Sequence, residues 1–151
     1  MKIRIATKDD LETLLEFEQG LIAYERPLDP SIKQTENIHY YDLPAMMHSD
    51  DSEVFVVEID NSVVGCGYGT IEENKSKFIE KRYGYIGFVF VKAEYRRRRV
   101  GEKIIEHLLE WFKARGAGEA KLRVYEGNTS AIKAYEKIGF RTSLLEMKIN
   151  L

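Results

Sequence analysis

The 151 residues hold one cysteine, Cys66, so the chain can form no intrachain disulfide and no cysteine-based metal cluster. That suits a reducing compartment, and a cytoplasmic location is expected. The three histidines, His39, His48 and His107, are too scattered to suggest a metal site, and no metal is expected. Neither charge dominates: 23 basic residues stand against 25 acidic ones, a formal net charge of −2. A chain without a basic surplus is poorly suited to coating nucleic acid, so no nucleic-acid partner is expected. No apolar run approaches the ~18 residues needed to cross a bilayer, and "MKIRIATKDD" reads as neither a signal peptide nor a transit sequence. No membrane partner is expected either. Repeats, linkers and low-complexity segments are missing, which leaves a single domain over residues 1–151. With 44% hydrophobic residues that domain can bury a full core.

What is present is a succession of strand and helix patterns. Ile3 and Ile5 alternate with charged residues, as in a short strand. Thr7 and Asp10 stand where a helix start needs an oxygen acceptor and negative charge. Leu11, Leu14, Leu15, Leu21 and Ile22 then keep helical spacing to about Tyr24, and Pro27 and Pro30 end the helix. From Pro27 to Asp51 the pattern is poor, with an irregular helix expected in "NIHYYDLPAMMH", interrupted at Pro44. "EVFVVEI" and "SVVGCGYGTIEE", split by Asp60 and Asn61, read as a hairpin. The nearly continuous apolar run from Tyr83 to Val91 predicts a central buried strand.

Further on, Val100, Ile104, Ile105, Leu108, Leu109 and Phe112 form one helix face, closed by "RGAG". "AKLRVYE" predicts another strand. Asn128 can cap a helix from about Thr129 to Ile138, with Gly139 in the left-handed closing position. "FRTSLLEMKINL" is expected to supply the last strand or two. The order β-α-(α)-β-β-β-α-β-α-β places the chain in the α/β class, a single mixed sheet with helices on both faces.

Between the central strand and the third helix lies "EYRRRRVGEKI", with four consecutive arginines. Alone, such a run reads first as a solvated charged turn. At a helix start, however, surplus cations oppose the macrodipole, so a cluster there calls for an anion. Free N–H groups and guanidinium forks together suit a diphosphate.

The same turn resembles the acyl-CoA signature of the GNAT N-acetyltransferase superfamily, R/Q-x-x-G-x-G/A, with Arg96 first and Gly101 last. "NTSAIKAYEKIGF" resembles the family's second signature, matched at Asn128, Ala131, Tyr135, Gly139 and Phe140. The resemblance covers nearly the whole chain. It departs at Arg99, where the family usually has glycine. Arginine fits there if its φ is negative and its side chain swings outward.

The resemblance implies a GNAT-like fold with splayed central strands and acetyl-CoA as co-substrate. Arg96, Arg97, Arg98, Arg99, Val100, Gly101 and Glu102 would hold the phosphates. Val89, Phe90 and Val91 would pair with the pantetheine arm, and Asn128, Ala131 and Tyr135 would line it. Tyr135 would be the acid for the departing thiolate. Asn128 also reads as a plain helix cap, Tyr135 as a packing residue, and the Val89–Val91 stretch as core.

The amine acceptor, on a small molecule or a protein, is expected in the irregular segment near Tyr24, Glu25, Tyr40 and Tyr41, with Asp29 and Asp42 nearby. Rings and carboxylates there suit a cationic amine. No base stands out among Glu25, His39, Asp42 and Glu72. An acyl-CoA-binding regulatory module without turnover is the competing reading, and a homodimer is left open.

Overall fold

The computed structural model describes residues 1–151. Strand β1 (Lys2–Ile5) leads through a capping turn into helix α1 (Leu11–Glu25). In that turn the Asp10 carboxylate accepts from the Thr7 N–H at 2.7 Å and is held by Arg4 at 2.8 Å. Helix α2 is short, Leu43–Met47. Its cap is Asp42, whose side chain accepts from Ala45 N–H at 3.2 Å. Pro44 therefore sits in the first turn, where a missing N–H costs nothing, and starts the helix instead of interrupting it.

Strands β2 (Ser52–Ile59) and β3 (Ser62–Glu73) form the expected hairpin. Asp60 and Asn61 both have positive φ, 50° and 62°, the backbone a two-residue primed turn requires. Strand β4 (Arg82–Val91) follows, then α3 (Val100–Ala114), β5 (Glu119–Leu122) and α4 (Thr129–Ile138). The five strands form one sheet in the order β1-β2-β3-β4-β5, antiparallel except for the parallel pair β4–β5.

Each sheet face carries its own core. Leu14, Phe17, Leu43, Val54, Val56, Cys66 and Phe88 pack under α1 and α2. Phe55, Val57, Val64 and Ile86 meet the α3 residues Val100, Ile104, Leu108 and Phe112 on the other face. The close seat of α3 depends on glycine in β3. A Cβ on Gly67 would come within 2.2 Å of Ile104. The start of α3 is thereby pinned at the end of β4.

Two expectations need correcting at the C-terminal end. "AKLRVYE" is a strand only over Glu119–Leu122. Residues 141–151, expected as one or two strands, belong to no sheet, and none of their main-chain groups is hydrogen-bonded. Strand β5 is thereby the edge of the sheet, bonded only to β4. No helix is long and apolar enough to cross a membrane.

Candidate active site

After β4 the chain makes one short 3-10 turn at Ala93–Tyr95 and enters the arginine run. Arg97 and Arg99 both have φ 61°, so the backbone curls left-handed twice in three residues. The expectation of a negative φ at Arg99 is thus overturned. Arginine takes the glycine-like conformation itself, at a cost of roughly 1–2 kcal/mol. Its side chain does swing outward: Nε and Nη2 reach the Glu102 carboxylate at 3.0 and 2.6 Å.

Such alternating curls turn successive N–H groups into one concavity, a shape that binds anions. The N–H groups of residues 97–102 have no acceptor within the protein. Together with the start of α3 they form an electropositive cup.

The four arginines have different jobs. Arg96 braces the turn, with Nε donating to the Val91 carbonyl at 3.0 Å and the guanidinium 6.0 Å from the Phe90 ring centre. Arg98 stacks on Tyr95 at 5.3 Å. Arg99 is held by Glu102, whose carboxyl is pushed below the usual range by that bond. Arg97 has no ion-pair or hydrogen-bond partner. Arg97 and Arg98 are the guanidinium groups left for an anion, and Val100, Gly101 and Glu102 contribute main-chain N–H groups.

Beside the cup the sheet opens. Strand β3 pairs with β4 to Val91, but β5 pairs only with Tyr83 to Ile86. From Gly87 onward the β5-side edge of β4 is free, and Val89, Phe90 and Val91 lie along it. Tyr68 faces Phe88 while Gly69 faces Ile86, so Gly87 is the extra residue of a bulge. The Tyr41 hydroxyl donates to its carbonyl. The opening therefore starts at a defined break in the ladder.

The start of α4 forms another wall. Asn128 caps that helix by accepting from Ala131 N–H at 3.3 Å, and it also accepts from the Tyr24 hydroxyl at 3.3 Å. Tyr24, near the end of α1, is thereby tied to the start of α4. Tyr135 is mostly enclosed and meets Phe140 edge-on at 6.0 Å. Burial, then the charge of Glu25, raises its pKa, so it keeps its proton at neutral pH.

Glu25, Asp29, Tyr40 and Tyr125 make a cluster of acids and phenols. Burial raises the Glu25 pKa, a contact with the Tyr40 hydroxyl opposes this, and Asp29 adds to it. The Tyr40 hydroxyl is itself buried without a well-formed hydrogen bond, so that contact is loose. Asp29 is held well below the carboxylate range, chiefly by the Ser31 hydroxyl at 2.5 Å. It also accepts from Lys148 at 3.0 Å and from Tyr125 at 2.9 Å. The other candidate bases are occupied or remote. His39 is bound to Glu18, Asp42 caps α2, and Glu72 lies exposed near the far end of the sheet opposite Tyr83.

Glu18 went unremarked in the sequence. It is fully buried and accepts from Tyr40 and Tyr41 N–H at 2.9 Å each, with His39 Nδ1 at 2.7 Å. This one carboxylate fastens "HYY" to α1. A signal was there: Leu14, Glu18 and Ile22 share one stripe at i, i+4, i+8, so an acid interrupts an apolar face.

Comparison with known proteins agrees with this geometry. The family model described as acetyltransferase (GNAT) family matches residues 15–140. An uncharacterized N-acetyltransferase of Methanocaldococcus jannaschii is 32% identical over 91% of this chain. The chain spans only 59% of that relative's length. A solved tetramutant protein from Bacillus halodurans superposes with a TM-score of 0.90 at 20% identity, over 100% of both chains. An aminoglycoside N-acetyltransferase in complex with CoA gives 0.78 at 17% identity, over 99% and 98%.

Proposed function

The chain belongs to the acetyltransferase (GNAT) family, whose co-substrate is acetyl-CoA, and we propose that it transfers the acetyl group to a primary amine. The observation that carries this reading is the union of six free N–H groups at residues 97–102 with an open β4 edge. One binds phosphate and the other an amide-rich arm, and the two are contiguous. Arg97 and Arg98 add charge-assisted contacts to the diphosphate, while Val89 and Val91, whose N–H groups point away from β3, offer main chain to the pantetheine.

The acceptor enters as an ammonium ion between Tyr24, Tyr40, Tyr41 and Glu25. Glu25 takes one proton from it, and burial, by raising its pKa, makes it a stronger base than an ordinary carboxylate. The freed nitrogen attacks the thioester carbonyl carbon. A C–N bond forms, the C–S bond breaks, and the electron pair leaves on sulfur. Main-chain N–H groups beside the Gly87 bulge polarise the carbonyl oxygen. Tyr135 gives its proton to the thiolate, the acylated nitrogen gives up its second proton to the Tyr135 phenolate, and Glu25 discharges the first to solvent. Glu25 and Tyr135 are electrostatically coupled, which supports their acting on one reacting centre.

A binding module without turnover drew on the missing glycine and the missing base. Arg99 adopts the glycine's backbone, and Glu25 fills the role of base. The test is free-thiol release from acetyl-CoA across a panel of amines, beside direct acetyl-CoA binding. Amine-dependent thiol release is expected. Tight binding with no release for any amine would establish the binding module instead.

A further inference from the structure

Within β4, Gly87 alone has no register partner in either neighbouring strand. On one side β3 passes from Gly69 opposite Ile86 to Tyr68 opposite Phe88, and on the other β5 pairs no further than Ile86. The position has no room for a side chain, since a Cβ there would come within 2.9 Å of the Tyr68 ring. A glycine peptide outside the ladder has wide conformational freedom, and this one stands where the sheet opens. Its carbonyl is nevertheless taken, by the Tyr41 hydroxyl.

Tyr41 is itself fixed at both ends. Its N–H donates to the fully buried Glu18 carboxylate of α1 at 2.9 Å. Its ring stacks on Phe88 with centres 5.3 Å apart and lies 6.1 Å from Tyr68. Backbone tie and ring stack together aim the hydroxyl at β4. Burial raises the Tyr41 pKa, and the charge of Glu25 adds to this, so the phenol keeps its proton near neutrality and goes on donating. That one O–H is spent on Gly87. It is not free to donate to an acceptor molecule or to a departing thiolate.

We infer that Tyr41 is a positioning residue for acyl transfer: it sets the bulge whose main-chain N–H groups meet the thioester carbonyl. This rests on the acetyltransferase reading and adds the residue that holds the reacting end of the edge still. In a trans peptide the C=O and the next N–H point in opposite directions. A hydrogen bond on the Gly87 carbonyl therefore fixes the plane that carries the Phe88 N–H as well. Tyr41 packs with the core under α1 and α2, so the carbonyl is drawn to that side. Without the bond its lone pairs would be free to turn towards the opening, where they would oppose the negative charge growing on the thioester oxygen. Donors stabilise that charge best when they need not reorganise during the reaction. The tie runs from Glu18 on α1 through Tyr41 to Gly87.

Tyr41→Phe keeps the ring against Phe88 and removes only the hydroxyl. Hydrogen exchange reads the tie without any acetyl transfer: amides of residues 86–88 should exchange faster, while the β1–β2 ladder, as a check on the fold, stays as in the wild type. On an amine found by thiol-release profiling, kcat should fall about tenfold to a hundredfold, no more than the loss of a whole oxyanion donor. KM for the amine and the Kd for acetyl-CoA should hardly change, and the acid limb of the pH–rate profile should stay in place. Unchanged exchange at residues 86–88 would overturn the proposal, because the bulge would then hold itself. Faster exchange with kcat untouched would overturn it too. A raised KM with normal kcat would make Tyr41 a substrate contact, and loss of the acid limb would make it a proton-transfer group. A wild-type chain that releases no thiol with any amine would sink the acetyltransferase reading and this role with it, whereas exchange at residues 86–88 reports on the tie alone.

Discussion

At the scale of single residues, Tyr135 and Glu25 carry sharp expectations. Tyr135→Phe keeps the ring against Phe140 and removes the hydroxyl. The expected result is a drop in kcat of about tenfold to a few hundredfold, within the range for losing a positioned proton donor. Calorimetry should show acetyl-CoA affinity little changed; lost affinity with normal kcat would make Tyr135 a packing residue. Glu25 is expected to set the acid limb of the rate profile. Its folded pKa is raised, so the base is protonated and idle at low pH. The rate should climb as pH passes a value above the ordinary carboxylate range and then level off. Glu25→Gln should abolish that limb and leave only a slow, pH-flat rate. A limb unchanged in the Gln variant would assign the base elsewhere. Tyr135 was legible from its place in the second signature. Glu25 was one candidate among four, because sequence does not report burial, and burial separates it from the others.

At the scale of elements, the arginine turn and the "HYY" segment show what local sequence can and cannot reveal. The run announced an anion site, but the division of labour among the four guanidinium groups depends on a backbone curl that no charge pattern encodes. Arg99→Gly isolates that curl. Relief of a left-handed arginine contributes roughly 1 kcal/mol. Greater freedom of the unfolded chain costs up to about 1 kcal/mol, and loss of the exposed Glu102 pair costs less than ~1 kcal/mol. Urea denaturation should therefore show near-equal stability, and isothermal titration equal or tighter acetyl-CoA binding. A loss of tenfold or more would mean Arg99 itself reaches the phosphates. The "HYY" segment looked patternless because its order comes from Glu18 on another element. Glu18→Ala would leave two half-buried N–H groups unpaired, at up to roughly 1–3 kcal/mol each. The expected outcome is a lowered Tm and a higher KM for the amine, with acetyl-CoA affinity retained. Equal damage to both ligands would show Glu18 to be a general core residue instead.

At the scale of the whole molecule, strand and helix order followed from periodicity, and the α4 limits from Asn128 and Gly139. The tail did not. Leu145, Met147 and Ile149 alternate with polar residues as a strand would, yet residues 141–151 belong to no sheet. The cleft has a related origin: β5 stops pairing at Leu122, so the two cores stay joined through β2, β3 and β4 while β4 keeps one open edge. Ligand binding should therefore be felt locally in the backbone and globally in stability. At acetyl-CoA about a hundredfold above its Kd, linkage gives roughly 2.7 kcal/mol. For a chain of this size that is a Tm rise of roughly 5–11 °C. Amide exchange should slow most at Val89 and Val91, whose N–H groups point away from β3, and at residues 97–102, whose N–H groups have no acceptor in the protein alone. The β1–β2 ladder, already bonded and far from the opening, should change only with global stability. A Tm rise with protection spread evenly over all five strands would mean that the ligand tightens the fold without using this edge. The phosphate cup and the pantetheine edge would then both have to be sought elsewhere.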